Sequence, residues 1–278
     1  MTTLLFPGQG SQEPGMGNGL LERFPEMVTQ ADEILGYSVE ALCADDSGRL
    51  DQTCHTQPAL YVISCLAFEA WRADRDGVFA FTAGHSVGEY AALYAAGAVE
   101  FATGLRLVQQ RGELMHRQTG GGMAAVLGLE LSSVEQVLAD GGFDGIDIAN
   151  LNAPQQIIMS GLKQDVESAE SAFLEAGARR YVPLNVSGAF HSRHMVAAAE
   201  EFGHFLEGCS FADPICPVVS NVEARPYEIR RARELLQAQI HSPVRWVETI
   251  EYLREQGEME FIELGPGRVL TGLLRRIR

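Results

Sequence analysis

Lysine is almost missing from this chain. Lys163 is the single one, so nearly all positive charge sits on arginine, and a side-chain cation that meets a ligand must be a planar, always charged guanidinium. Positive charge is scarce altogether. With 21 basic residues against 37 acidic ones the formal charge is −16, which works against nucleic acid and anionic membrane surfaces as partners. The five cysteines, Cys43, Cys54, Cys65, Cys209 and Cys216, form no C-x-x-C pair. Their odd number and spacing argue against a disulfide framework or a zinc knuckle and fit a reducing cytoplasm, and no metal site is expected. The apolar run from Met1 to Phe6 has no basic flank and meets Pro7-Gly8 at once, so it is expected to be a first strand, neither signal peptide nor membrane span. No internal repeat or low-complexity linker divides the 278 residues, 46% of them hydrophobic. That length suits one large domain, or one domain carrying a smaller insertion.

What the chain does have is Gly84-His85-Ser86-Val87-Gly88, continuing as Glu89-Tyr90. Val78 to Ala83 ahead of it has strand character, and Glu89 to Ala95 behind it has helical spacing. Strand, tight turn and helix are the setting of a nucleophile elbow. Neighbouring glycines bring no Cβ, so the serine can occupy a strained turn with its hydroxyl at a helix N-terminus, where developing negative charge is favoured.

A serine there needs a base, and histidine is the usual one near neutral pH. Of the seven histidines, His85 adjoins Ser86 and is expected to point away from it, and His55, His116, His204 and His241 lie in polar stretches. His191 and His194 remain. His191 is preferred because it follows Phe190 at the junction of two domains, where a cleft would form. No acid after His191 lies in a recognisable triad motif; a backbone carbonyl could orient the imidazole instead. Arg111 interrupts an apolar stripe of Leu105, Leu107, Val108 and Leu114 in a helix read over 102–117; helix statistics alone favour a snorkelling surface arginine there. Pro7-Gly8-Gln9-Gly10-Ser11-Gln12 lacks both the lysine of a phosphate-binding loop and the G-x-G-x-x-G spacing, so it is read as an oxyanion-binding turn offering backbone N–H groups.

Residues 18–43 read as an amphipathic helix broken at Pro25, and Gln57-Pro58 opens a second helix through Trp71 with Pro58 at its first position. After Gly120-Gly121-Gly122 the rhythm changes: strand 123–127, helix 132–139, strands 146–150 and 155–160, helix 163–176, strand 180–186. That β-α-β-β-α-β order is ferredoxin-like. The expected fold class is α/β, with a large α/β-hydrolase-like domain of mainly parallel sheet over residues 1–122 and 190–278 and a small ferredoxin-like insertion over 123–189.

Taken in order, Pro7-Gly8-Gln9-Gly10-Ser11-Gln12, Thr56-Gln57-Pro58-Ala59-Leu60, the elbow, Gln110-Arg111-Gly112, Asn150-Leu151-Asn152-Ala153-Pro154, Ala189-Phe190-His191-Ser192 and Gly265-Pro266-Gly267 resemble the malonyl-CoA:acyl-carrier-protein transacylases over essentially the whole chain. Ala189-Phe190-His191 with Ser192-Arg193 looks most like the free-standing, trans-acting acyltransferases of polyketide synthases. The resemblance implies Ser86 as the acylated nucleophile, His191 as its base, the N–H groups of Gln9 and Val87 as oxyanion hole, and Arg111 as clamp for the malonyl carboxylate. It further implies that the Gln239 carbonyl orients His191, that Gln57 lies beside the acyl pocket, and that Asn152 lies near the pantetheine entrance. Phe190 would crowd an α-methyl branch, although Gly188 stands where malonyl-selective relatives usually carry histidine. No cofactor is expected; the substrates would be malonyl-CoA and a holo acyl carrier protein, the protein a cytoplasmic monomer. Arg179-Arg180, Arg230-Arg231-Arg233 and Arg275-Arg276-Arg278 are candidate docking patches for the acidic carrier. An acyl hydrolase of the same fold, clearing stalled chains from carrier proteins, is the alternative; it would need no carboxylate clamp.

Overall fold

The computed structural model describes residues 2–75, 77–258 and 260–277, so Met1 of the expected first strand and Arg278 of the last arginine patch lie outside the described residues. Eight strands are present among them: β1 (Thr2–Phe6), β2 (Phe81–Gly84), β3 (Gly121–Leu127), β4 (Asp147–Ala153), β5 (Gln156–Leu162), β6 (Arg180–Pro183), β7 (Val218–Val219) and β8 (Glu260–Glu263). They form an α/β fold with two separate sheets. One has the order β7-β2-β1-β8 and is parallel throughout. The other has the order β4-β5-β3-β6 and is antiparallel throughout.

β1 is apolar at successive positions because both of its faces are covered. Leu4 and Phe6 join a core with the helices Thr53–Asp74 and Phe101–Arg117, whereas Leu5 and Ala83 meet Trp246, Ile250 and Leu253 on the opposite side. The second sheet alternates with the period of two that strand geometry demands. Ala124 and Val126 pack on its own helices through Val134, Val166 and Phe173, while Met123, Ala125 and Ile158 face the main core. One face of the second sheet therefore joins the main core, and among the described residues no helix is long and apolar enough to cross a membrane.

Several boundaries differ from the sequence expectation. The helix expected to open at Gln57 begins at Thr53, so Pro58 lies inside it and offers no N–H to the Cys54 carbonyl. Burial of Thr53, Thr56 and Gln57 outweighs that loss, as tertiary packing commonly does over local propensity. The strand expected from Val78 starts only at Phe81, and Val78 is 87% exposed. The first helical region breaks at Gly36 as well as at Pro25, since Gly36 takes a left-handed φ of 76° and ends the helix Pro25–Leu35. Arg268 to Arg278 reads in sequence as a closing helix, and the helix formed there runs from Val269 to Leu274.

Candidate active site

The elbow forms because three backbones come too close for side chains. A Cβ on Gly88 would lie 2.1 Å from the Phe6 carbonyl oxygen, and one on Gly84 would lie 2.0 Å from the Gly88 carbonyl carbon. β2 therefore turns directly into the helix Gly88–Ala95, pressed against β1. Ser86 at the apex has φ 52°, and His191 has φ 57°. Side chains rarely adopt this left-handed region, and such strain collects at functional sites.

The Ser86 Oγ and His191 Nε2 atoms are 2.8 Å apart. The other ring nitrogen, Nδ1, lies 2.8 Å from the Gln239 carbonyl and 3.2 Å from that of Ser242. Carbonyls only accept, so the ring proton belongs on Nδ1 and Nε2 is left bare to accept from the serine. Burial, and after it the charge of Arg111, push the His191 pKa down to about 3; the ring is neutral at neutral pH, as a base must be.

Arg111 is buried outright, not a snorkelling surface residue. Gly112 beside it lets the helix Phe101–Arg117 approach the helix Thr53–Asp74, since a Cβ there would sit 3.1 Å from the Thr53 carbonyl oxygen. Gln57 on the facing helix accepts from Arg111 Nη1 at 2.6 Å, and Nη2 donates to Ser86 Oγ at 3.1 Å. The guanidinium lies over the Tyr90 ring, 5.7 Å from its centroid. Its Nε has no partner, and among the described residues no carboxylate comes within ion-pair reach of it. A cation beside Ser86 is thus held out of water with no anion in direct contact, the buried Glu89 acting on it only from farther off.

A cavity of about 90 Å³ opens onto Ser86 between the two sheets, lined among others by Gln9, Gln57, Val87, Phe190 and His191. Sites for whole drug-sized ligands run to roughly 300–1,000 Å³, so this space suits a short acyl group. Among the described residues, neither the Gln9 nor the Val87 N–H donates to an internal acceptor, which leaves both available to an oxyanion. Asn152 is not itself among the residues lining the cavity. Its Oδ1 bonds His85 Nε2 at 2.7 Å, holding that ring on Trp246, and the amide that lines the cavity is Asn150. Asn152 and Asn150 are two apart on β4, but the strand bulges between Ile148 and Asn150 and again between Leu151 and Ala153, so alternation does not put them on equivalent positions.

Met115, Met123, Leu184 and Val186 also line the cavity and were missed, because they are distinguishable in sequence only as ordinary apolar residues. Asn221 was missed too: its Oδ1 accepts the Ser86 N–H at 2.7 Å from 135 positions away. Of the histidines expected in polar surroundings, His204 is exposed, whereas His55 packs edge-on against Tyr37. Arg230 and Arg231 are engaged with Glu228, Glu223 and Glu234, and Arg233 donates to the Cys209 carbonyl. Arg179 and Arg276 instead line one surface cleft with Glu130 and Glu251.

Fold and site together define a class: an α/β protein whose elbow serine and neutral histidine are arranged for covalent acyl transfer. Within that class, residues 3–276 match the family model described as the acyl transferase domain, and the chain belongs to that family. It is 50% identical over 280 residues to the polyketide biosynthesis malonyl CoA-acyl carrier protein transacylase PksC of Bacillus subtilis, covering all of this chain and 97% of that protein. It is 53% identical over 278 residues to the polyketide biosynthesis protein ThaF of Burkholderia thailandensis, covering all of this chain but only 24% of ThaF. A crystal structure of malonyl CoA-acyl carrier protein transacylase from Burkholderia pseudomallei superimposes with a TM-score of 0.96 at 47% identity, over 100% of this chain and 98% of that one.

Proposed function

We propose that the protein moves a malonyl group from malonyl-CoA to the phosphopantetheine thiol of an acyl carrier protein through an ester on Ser86, acting in trans for a polyketide synthase. The observation that carries this reading is Arg111. A buried guanidinium with no carboxylate in contact is costly unless an anion arrives, and Arg111 donates to the nucleophile itself at 3.1 Å. Malonyl supplies a free carboxylate one methylene from its reacting carbonyl. An acyl hydrolase acting on uncharged chains would have no use for that cation.

In the first half-reaction His191 Nε2 takes the Ser86 proton as Oγ attacks the thioester carbonyl. The oxyanion is received by the Gln9 and Val87 N–H groups, the C–S bond breaks, and the proton passes from His191 to the leaving sulfur of coenzyme A. The carrier thiol then gives its proton to His191, attacks the ester, and leaves with malonyl while Ser86 is reprotonated. The exchange is nearly level in free energy, so placement of the second thiol and exclusion of water decide the outcome. Gln57 steadies Arg111, the Gln239 carbonyl fixes the His191 tautomer, and Phe190 narrows the cavity against an α-methyl branch.

The finer fold description belongs to the same reading. Counted from its own first strand, the second sheet has the order 2-3-1-4, which supports a ferredoxin-like insertion over 123–189. The parallel sheet with its elbow supports an α/β-hydrolase-like domain over 1–122 and 190–278. A cytoplasmic monomer that needs no cofactor is part of this proposal, and the cleft of Arg179 and Arg276 is the arginine patch it favours for the carrier. Incubation with malonyl-CoA and holo carrier protein, followed by intact mass, is expected to give malonyl-loaded carrier. Free malonate with unloaded carrier would replace transfer by hydrolysis.

A further inference from the structure

Behind the elbow lies a polar cluster that the reaction as written does not use. Asn221 is fully buried, and its side chain bridges the turn: Nδ2 donates to the Gly84 carbonyl at 2.6 Å while Oδ1 accepts the Ser86 N–H at 2.7 Å. Its own backbone is held on both sides. The Asn221 N–H donates to Glu89 Oε2 at 2.7 Å, and its carbonyl accepts from the Arg245 N–H at 3.1 Å. Glu89, itself fully buried, accepts at its other oxygen from the Tyr227 hydroxyl. Asn221 sits on a tight turn closed by Ser220 N–H to the Arg225 carbonyl and Ala224 N–H to the Ser220 carbonyl, both 2.9 Å. Ala224 in that turn is, with Ser86 and His191, one of the three described non-glycine residues at positive φ.

We propose that Asn221 is a positioning residue for acyl transfer, holding the Ser86 turn in its left-handed conformation, with Glu89 and Tyr227 fixing Asn221 from behind. Two consequences of the geometry support this. First, the bridge spans the two peptide groups that flank His85, so it sets the angle at which Ser86 leaves the strand. Ser86 Oγ makes contacts of 2.8 Å with His191 and 3.1 Å with Arg111, and a small rotation of the turn would spoil both. Second, because the Ser86 N–H is occupied by Asn221, the oxyanion is left to the N–H groups of Val87 and Gln9. The bridge therefore assigns the donors as well as aiming the nucleophile. Glu89 reaches the turn through Asn221, and its charge also bears on the Gln239 side chain and on Arg111.

This inference rests on the acyl-transfer reading, and its test separates the two. Ser86 is reacted with a fluorophosphonate probe, whose phosphorus takes the serine oxygen as fluoride leaves, and in parallel with malonyl-CoA in single turnover, each followed by intact mass well below every variant's melting temperature. Asn221→Ala is expected to slow both reactions by roughly 10–100-fold, as supporting residues around a reactive centre commonly do, with KM for malonyl-CoA unchanged. A merely structural role would lower the melting temperature and leave the rate constants of the folded protein alone. Glu89→Gln, which keeps an acceptor for the Asn221 N–H, is expected to retain more of the rate than Glu89→Ala. Should Asn221→Ala not fold, Tyr227→Phe carries the comparison, with a fall of about 2–10-fold for one lost hydrogen bond. Wild-type labelling rates in folded Asn221→Ala, or in Tyr227→Phe where that variant stands in, overturn the proposal. Wild-type protein that takes the fluorophosphonate but not malonyl refutes the malonyl reading, and the fluorophosphonate rates still decide the role of Asn221.

Discussion

Truncating Arg111 to alanine should separate malonyl from acetyl. In the intact protein the guanidinium is buried, steadied by Gln57 at 2.6 Å and poised 3.1 Å from Ser86 Oγ. Without it the malonyl carboxylate would enter a water-poor cavity with no counter-charge. Breaking a buried ion pair from one side costs about 3–5 kcal/mol, which at tenfold per 1.4 kcal/mol is roughly 140–3,700-fold in kcat/KM for malonyl-CoA. Acetyl-CoA has no carboxylate to lose, and its loading should persist. The assay is competitive: both thioesters with Arg111→Ala, the acyl groups on Ser86 counted by intact mass, and the ratio compared with wild type. A parallel fall of malonyl and acetyl loading would refute the reasoning, because it would mean that Arg111 serves the nucleophile and not the acyl carboxylate.

Other expectations follow from the same geometry. With the His191 pKa pushed down to about 3, kcat/KM, which reports the free enzyme, should stay level as pH falls from 8 to 5; an ordinary histidine would lose about tenfold per unit below roughly 6.5, and such a loss in a pH–rate profile would contradict the assignment. Glu89 shifts the opposite way: burial raises its pKa to about 7 despite the bonds from Tyr227 and Asn221. The folded protein then binds the extra proton, so the stability that Glu89 contributes is full below the unfolded carboxyl pKa and is lost as pH rises through about 7. Glu89→Gln should therefore raise the melting temperature more at pH 8 than at pH 5, and an equal shift at both would count against a buried neutral acid. Phe190→Ala should admit methylmalonyl, narrowing the preference by about 1–3 kcal/mol for the one methyl group, as read by competition between malonyl-CoA and methylmalonyl-CoA. Gly88→Ala, whose Cβ would meet the Phe6 carbonyl oxygen at 2.1 Å, should abolish soluble protein or Ser86 acylation; a folded, active variant would show that β1 yields more readily than the packing suggests.

Local signals carried much of this site. The elbow was legible because strand, glycine, serine, glycine and helix are contiguous, and the close approach of Gly88 to Phe6 and of Gly84 to Gly88 explains why both glycines are needed. Arg111 could be noticed in sequence as a charge in an apolar stripe, but its burial could not, since whether such a side chain snorkels depends on what the next helix brings. Here Gly112 brings that helix in, with Gln57 on it. Asn221 left no local mark: its neighbours are a turn, and its partner is a backbone N–H more than a hundred residues away. In the asparagine motif of β4 the bulges, which leave no mark in the sequence, decide that Asn150 lines the cavity while Asn152 bonds His85. Pro58 was read as a start signal by propensity and was overruled by burial of the residues before it.

The central claim is a malonyl ester on Ser86, and the most direct measurement is a quenched single turnover with malonyl-CoA, digestion, and location of the adduct by peptide mass. The account predicts one malonyl group on the peptide carrying Ser86, absent from Ser86→Ala and lost from the wild-type peptide when holo carrier protein is added. A malonyl group on any other residue, or transfer to the carrier undiminished in Ser86→Ala, would contradict it.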